Sequence, residues 1–210
     1  MSAHFARAGR AYYELCRGWP WSSAFAVTYF KGSMSDIFAQ RVLERRDSTD
    51  VARNVCFATF SGLYSGFVMH FVCNLAYPRL FGCGTNLATV AKKLSTDHFI
   101  HVPFICMPCY YFWQETFFVP LENGSTQIPH WGSAVFSDTF TRWHEQIWGV
   151  MWEYWKIWTP AHVVTFKLMP EPLRVTWIAC VSALWLVVLS FLSHRDFDHD
   201  AKAPELQTDE

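Results

Sequence analysis

The sequence predicts an all-α protein, a four-transmembrane-helix bundle with an additional Trp-rich interfacial helix before its last span. Two observations carry this. Charged residues make up only 17% of the 210 positions, and aromatics reach 18%, with 11 Trp, 8 Tyr and 19 Phe. Several long stretches also carry no Asp, Glu, Lys or Arg. The usual charged share is about a quarter, so a disordered tail, a coiled coil and a basic nucleic-acid binder are excluded. The mean hydropathy of +0.08 is low for a membrane protein. That index scores Trp and Tyr as mildly polar, yet both belong at membrane interfaces.

A membrane helix takes about 20 mostly apolar residues. The first candidate span runs from Gly18 to about Gln40 and is interrupted by Lys31 and Asp36. The second, Asn54 to Pro78, is a 25-residue stretch between Arg53 and Arg79. The third, His98 to Gln114, holds 17 residues and extends past Glu115 to Pro120. The last, Val175 to His194, is 20 residues between Arg174 and Arg195. These divide the chain into a basic N-terminal segment (1–17), a membrane domain (18–194) and an acidic tail (195–210). Lys and Arg are balanced across the two sides of such a bundle, eight against eight, so the positive-inside rule selects no orientation.

Between the third and last spans, Thr116 to Pro129 reads as a loop, with two Pro, one Gly and small polar residues. Trp148, Trp152, Trp155 and Trp158 follow at spacings of four, three and three, which puts the indoles on one side of a helix. The expected setting is headgroup depth; the alternative is a helix packed under the bundle. Pro160, Pro170 and Pro172 are expected to break the chain before the last span. Asn123-Gly-Ser125 is a glycosylation sequon, relevant only in the secretory pathway. Arg7, Arg10 and Arg17 give the N-terminal segment a weak mitochondrial-targeting character, or that of a short basic anchor.

Ala58, Gly62 and Gly66 are four apart, so the second span presents a small-residue stripe for close helix packing. His70 and Asn74 continue it and should face protein or a cavity. Lys31, Asp36 and Gln40 lie within the first span, where a charge costs about 3 kcal/mol. These five polar residues are the candidates for either a polar pathway or interhelical contacts. Cys106-Met-Pro-Cys109, with His98 and His101 upstream, could be drawn as a zinc or redox site. Two prolines and a single helix would splay the four ligands, so no metal or other cofactor is expected. No nucleophile triad, phosphate loop or paired carboxylates emerge.

In order and spacing the embedded polar residues resemble the Mpv-seventeen / peroxisomal-membrane-protein-twenty-two family, over roughly residues 12–193. Pro20, Gly32, Asp36 and Gln40 fit its first-span positions, with Ser35 where Gly is usual. Arg53, Gly62, Gly66 and His70 fit the second, with Phe67 for Pro and Val72-Cys73 for Trp-Tyr. Lys93 and Asp97 fit Lys-x-x-x-Asp-Gln, with His98 for Gln and Pro103 beyond. Trp158, Phe166, Pro170 and Arg174 fit the signature before the last helix, with His162 for Gln and Thr165 for Asn. Trp185, Leu189 and Ser190 fit its ending.

The resemblance implies four membrane helices, no enzymatic activity, and residence in the mitochondrial inner membrane or, alternatively, the peroxisomal membrane. Two functions are compatible with it. The first is an accessory subunit or scaffold of a respiratory or ATP-synthase complex, touching lipid and other membrane subunits but no nucleic acid. The second is a weakly selective small-solute pore supporting metabolite or mitochondrial DNA homeostasis. The substituted polar motifs and retained packing glycines lean toward the first.

Overall fold

A computed structural model of the chain describes residues 2–122, 129 and 132–184. Among them there is no strand. Six helices are described: α1 (Ser2–Gly18), α2 (20–43), α3 (Val51–Phe81), α4 (87–122), α5 (Ser133–Lys167) and α6 (174–184). The second half of the expected last span, with Trp185, Leu189 and Ser190, lies outside the described residues. So do the acidic tail and the sequon.

Local chemistry sets the helix ends. Pro20 opens α2, where its missing N–H is not needed. Asp50 caps α3 by accepting from the Arg53 amide at 3.0 Å, and Asn86 caps α4 by accepting from Thr89 at 2.9 Å. Gly82, at φ 86°, ends α3 in a conformation that a side chain would strain.

α2 and α3 pack along their length through the predicted small-residue stripe. A Cβ on Gly66 would stand 2.8 Å from the Phe25 Cα and 3.0 Å from the Ala24 carbonyl. One on Gly62 would meet the Phe25 ring at 2.6 Å, and one on Gly32 would meet Ser61 Cβ at 2.5 Å. The two backbones are therefore in near contact. Ser61 Oγ donates across the gap to the Thr28 carbonyl at 2.7 Å.

α4 and α5 form a second antiparallel pair. Arg142 meets Glu115 at 2.7 Å, Gln146 accepts from Tyr111 at 3.0 Å, and Tyr154 donates to Asp97 at 2.9 Å. A core of Met69, Val72, Cys73, Tyr77, Val90, Phe166 and Ile178 joins α3, α4, α5 and α6.

Two expectations change here. The loop expected from Thr116 begins later, because α4 continues to Glu122. α5 also does not break at Pro160; it runs 35 residues from Ser133 to Lys167, about 52 Å at 1.5 Å per residue. A proline removes one backbone donor but leaves the helix intact where packing on both sides holds it, and here α4 and α6 flank the site. The chain turns only at Leu168–Pro170. The indole stripe consequently does not lie as one outward face. Trp148 and Trp152 are exposed, at 77% and 61%. Trp155 tilts against Phe99, and Trp158 stacks on Tyr154. α5 is thus packed along α4, the alternative to an isolated interfacial helix.

Several helices contain turns closed by i→i+5 hydrogen bonds: Ser61–Val68 and Val72–Ala76 in α3, and Asp97–Cys106 in α4. Such turns wind less per residue, so more neighbouring side chains point the same way, and they recur at functional sites. Pro103 lies inside one of them, and its carbonyl accepts from Trp143 Nε1 at 2.7 Å.

Among the described residues, one helix is long and apolar enough to cross a membrane by length and composition. It is Val51–Phe81, 31 residues long, with a mean hydropathy of 1.5 over its most apolar window. The outer surface carries exposed Phe30, Phe71, Phe99, Ile100, Phe104, Phe136 and Phe140. An apolar outer face of this extent is unusual for a soluble monomer.

Candidate functional site

The five polar residues singled out in the sequence fall into three separate places. Asp36 and Gln40 belong to a closed junction between the end of α2 and the start of α3. Asp36 accepts from Arg53 Nε at 3.1 Å, Gln40 Nε2 at 2.7 Å and Asn54 Nδ2 at 3.2 Å. Gln40 Oε1 accepts from the Asp50 amide at 2.6 Å, and the Arg53 guanidinium grips both oxygens of Glu44. Asp36, Gln40 and Arg53 are buried. The hydrogen bond from Arg53, reinforced by its charge and that of Arg46, holds the Glu44 carboxyl below its ordinary value of 4.5. This junction is an interhelical contact in which each buried group has a partner.

Lys31 lies on another face of α2, toward α6. His70 and Asn74 lie at the far end of α3. Asn74 Nδ2 donates to His70 Nδ1 at 3.0 Å, and the His70 ring meets Trp21 edge-on. Both line a cavity of about 640 Å³ with Arg17, Trp21 and Glu171. α1, α2, α3 and the turn before α6 supply its walls.

Behind that wall is a polar cluster centred on Asp97, which is wholly buried at the first wide turn of α4. Its Oδ1 accepts from Tyr77 at 3.1 Å and from His101 Nδ1 at 3.0 Å; its Oδ2 accepts from Tyr154. With that donation fixed, two tautomers follow. His101 presents Nε2 to the Tyr64 hydroxyl at 3.1 Å and accepts from it. The Tyr154 oxygen accepts from His162 Nε2 at 3.2 Å. The chain Tyr64–His101–Asp97–Tyr154–His162 is therefore continuous across three helices.

Around this chain the polar groups exceed their partners. Nδ1 of His98, Nδ1 of His162 and Nε of Arg174 are buried without a hydrogen bond. Lys93, 1% exposed, sits over the Phe166 ring at 5.8 Å and has no ion pair among the described residues. Arg174 reaches the Cys73 carbonyl at 3.0 Å and Asn74 Oδ1 at 3.3 Å, so Asn74 links the cavity wall to the interior. Buried polar groups are normally paired, which sets this column apart from the α2–α3 junction.

Sequence reasoning placed Lys93, Asp97, His162 and Arg174 in motifs but not together. The available signal was the Lys93-x-x-x-Asp97-x-x-x-His101 spacing, one charged or titratable group per turn on one face. His98 and His101 turn toward Asp97 and Thr159, not toward Cys106 and Cys109. All described cysteines are free. Among the described residues no group of three His, Cys, Asp or Glu is arranged to hold a metal ion.

A family model described as "Mpv17 / PMP22 family" matches residues 133–190, which covers α5 and the described part of α6. A Dictyostelium discoideum protein named "PXMP2/4 family protein 2" is 25% identical over 179 residues, covering 82% of each chain. No solved structure matches.

Proposed function

We propose that this chain, similar to the Mpv17 / PMP22 family over residues 133–190 and to one of its named relatives over most of its length, is a member of that family and conducts small polar solutes through an organelle membrane, without enzymatic activity. The observation that supports this most is the polar column of α3, α4, α5 and α6, where buried donors and acceptors outnumber their partners and adjoin an open cavity of about 640 Å³. A bundle built only for stability would pair or replace such groups. A solute replacing water would find its partners there.

α2, α3, α4 and the span expected from the sequence at Val175–His194 are the four crossing segments in this reading, and α5 shields the polar face of α4 from lipid. Lys93 and Arg174 stand in the column against Asp97 alone, so small anions are the preferred solutes. The membrane is peroxisomal or mitochondrial, the two that the family resemblance implies. A respiratory or ATP-synthase scaffold, the first expectation from sequence, has no observation in its favour beyond apolar surface that lipid would also cover.

The test is flux in liposomes containing the purified full chain. Leak of a small organic anion above that of protein-free vesicles, reduced by Lys93→Met, supports the proposal. Tight liposomes with correctly inserted, folded protein would overturn it.

A further inference from the structure

Lys31 is the candidate from the sequence that lies apart from the junction, the polar column and the cavity beside it. Val27, Lys31 and Phe38 lie on the α2 face next to the one that packs on α3. Opposite them, α6 presents the small residues Ala179, Cys180 and Ala183, leaving a cleft of about 360 Å³. Its walls are otherwise apolar except for Ser35, whose hydroxyl donates to the Lys31 carbonyl at 2.7 Å, and exposed Phe30 and Met34 also line it. The Lys31 ammonium makes no hydrogen bond or ion pair among the described residues. Asp36, the nearest acid along α2, is turned away to Arg53.

A cation with no partner among the described residues, midway along a spanning helix, calls for an anion. Lys31 lies 11 residues beyond the start of α2, about 17 Å along its axis, which is about half of a 30 Å hydrocarbon layer. A phospholipid headgroup stays at the surface, whereas the head of a single-chain acid can sink. We infer that the α2–α6 cleft binds a long-chain carboxylate amphiphile, its carboxylate on Lys31 and its chain along Val27, Phe38 and the two alanines. The charge complements the ammonium, and the apolar walls match the chain. This inference rests on the membrane-spanning reading of α2.

The full chain in phosphatidylcholine nanodiscs is labelled with a diazirine analogue of palmitic acid, and the labelled peptides are mapped by mass spectrometry. Labelling should fall on the α2 and α6 cleft residues. Lys31→Met should reduce it about ten-fold, the effect of losing roughly 1.4 kcal/mol, while Lys31→Arg retains it. The methyl ester should label no better than the acid labels Lys31→Met. Equal labelling of wild type and Lys31→Met, both eluting as folded protein, overturns the inference, as does equal labelling by the ester. So does displacement by an anionic phospholipid with no effect of palmitate, which would assign the cleft to a phospholipid. Alkaline carbonate extraction separates the two readings. Release of the chain from native membranes removes the membrane reading itself; retention with no dependence on Lys31 removes only the carboxylate.

Discussion

The α2–α3 junction and the Asp97 column are both buried, both polar and both built around one aspartate, yet they are organised in opposite ways. At the junction, Asp36 has three side-chain donors, and its principal donor Arg53 holds a second carboxylate, Glu44. In the column, Asp97 is equally well served, but the groups around it are not. His98, His162, Arg174 and Lys93 each keep unsatisfied capacity. A closed network rigidifies a fold. An open one is what the proposed solute path requires.

The largest expected effect tests that contrast directly. Asp36→Ala leaves a buried guanidinium short of a partner and frees Gln40 and Asn54, so it should destabilise the protein by about 3–5 kcal/mol. Thermal unfolding in detergent would show it. A loss under 1 kcal/mol would mean the junction is not what clamps α2 to α3. Asp97→Asn keeps the size and most hydrogen-bonding capacity of the side chain. It should lose about 1–2 kcal/mol of stability while raising anion flux, because Lys93 and Arg174 then stand without a counter-charge. If Asp97→Asn reduced stability more than Asp36→Ala and left flux intact, the assignment of the two regions would be reversed.

A smaller structural effect concerns the seam beside the junction. Gly32→Ala drives a methyl into Ser61 Cβ, and should destabilise by about 1–3 kcal/mol. Gly9→Ala, where a Cβ would meet nothing within 4 Å, serves as the control and should not destabilise. The smallest effect is one of pH. The depressed Glu44 carboxyl stabilises the folded state fully above 4.5, its ordinary value, and that contribution is lost as pH falls through the lower folded value. The stability difference between wild type and Glu44→Gln should therefore be up to about 1 kcal/mol near neutrality and vanish in strong acid. A difference that grew on acidification would contradict the sign.

Much of the helix map was legible in the sequence because a helix that packs closely or meets lipid writes its requirement in every turn. The uncharged run between Arg53 and Arg79 became α3, and Ala58, Gly62 and Gly66 became the contact with α2. The Trp spacing located part of α5. Its full length was not legible, since the stretch from Ser133 to Ile147 gains its support from α4 rather than from its own pattern. Pro160 misled for the same reason: a proline's effect depends on what else holds the helix.

The sequence by itself determined that the chain is helical, apolar outside and threaded with a few expensive polar groups, because composition and period are local properties. Which of those groups meet was decided by tertiary structure. Asp36 and Lys31, five residues apart, point to different neighbours, while Asp97, Tyr77, Tyr154 and His162, up to 85 positions apart, converge within hydrogen-bond reach. Hydrogen bonding acts over about 3 Å, and only the packing of α3, α4 and α5 brings side chains so far apart in the chain within that distance.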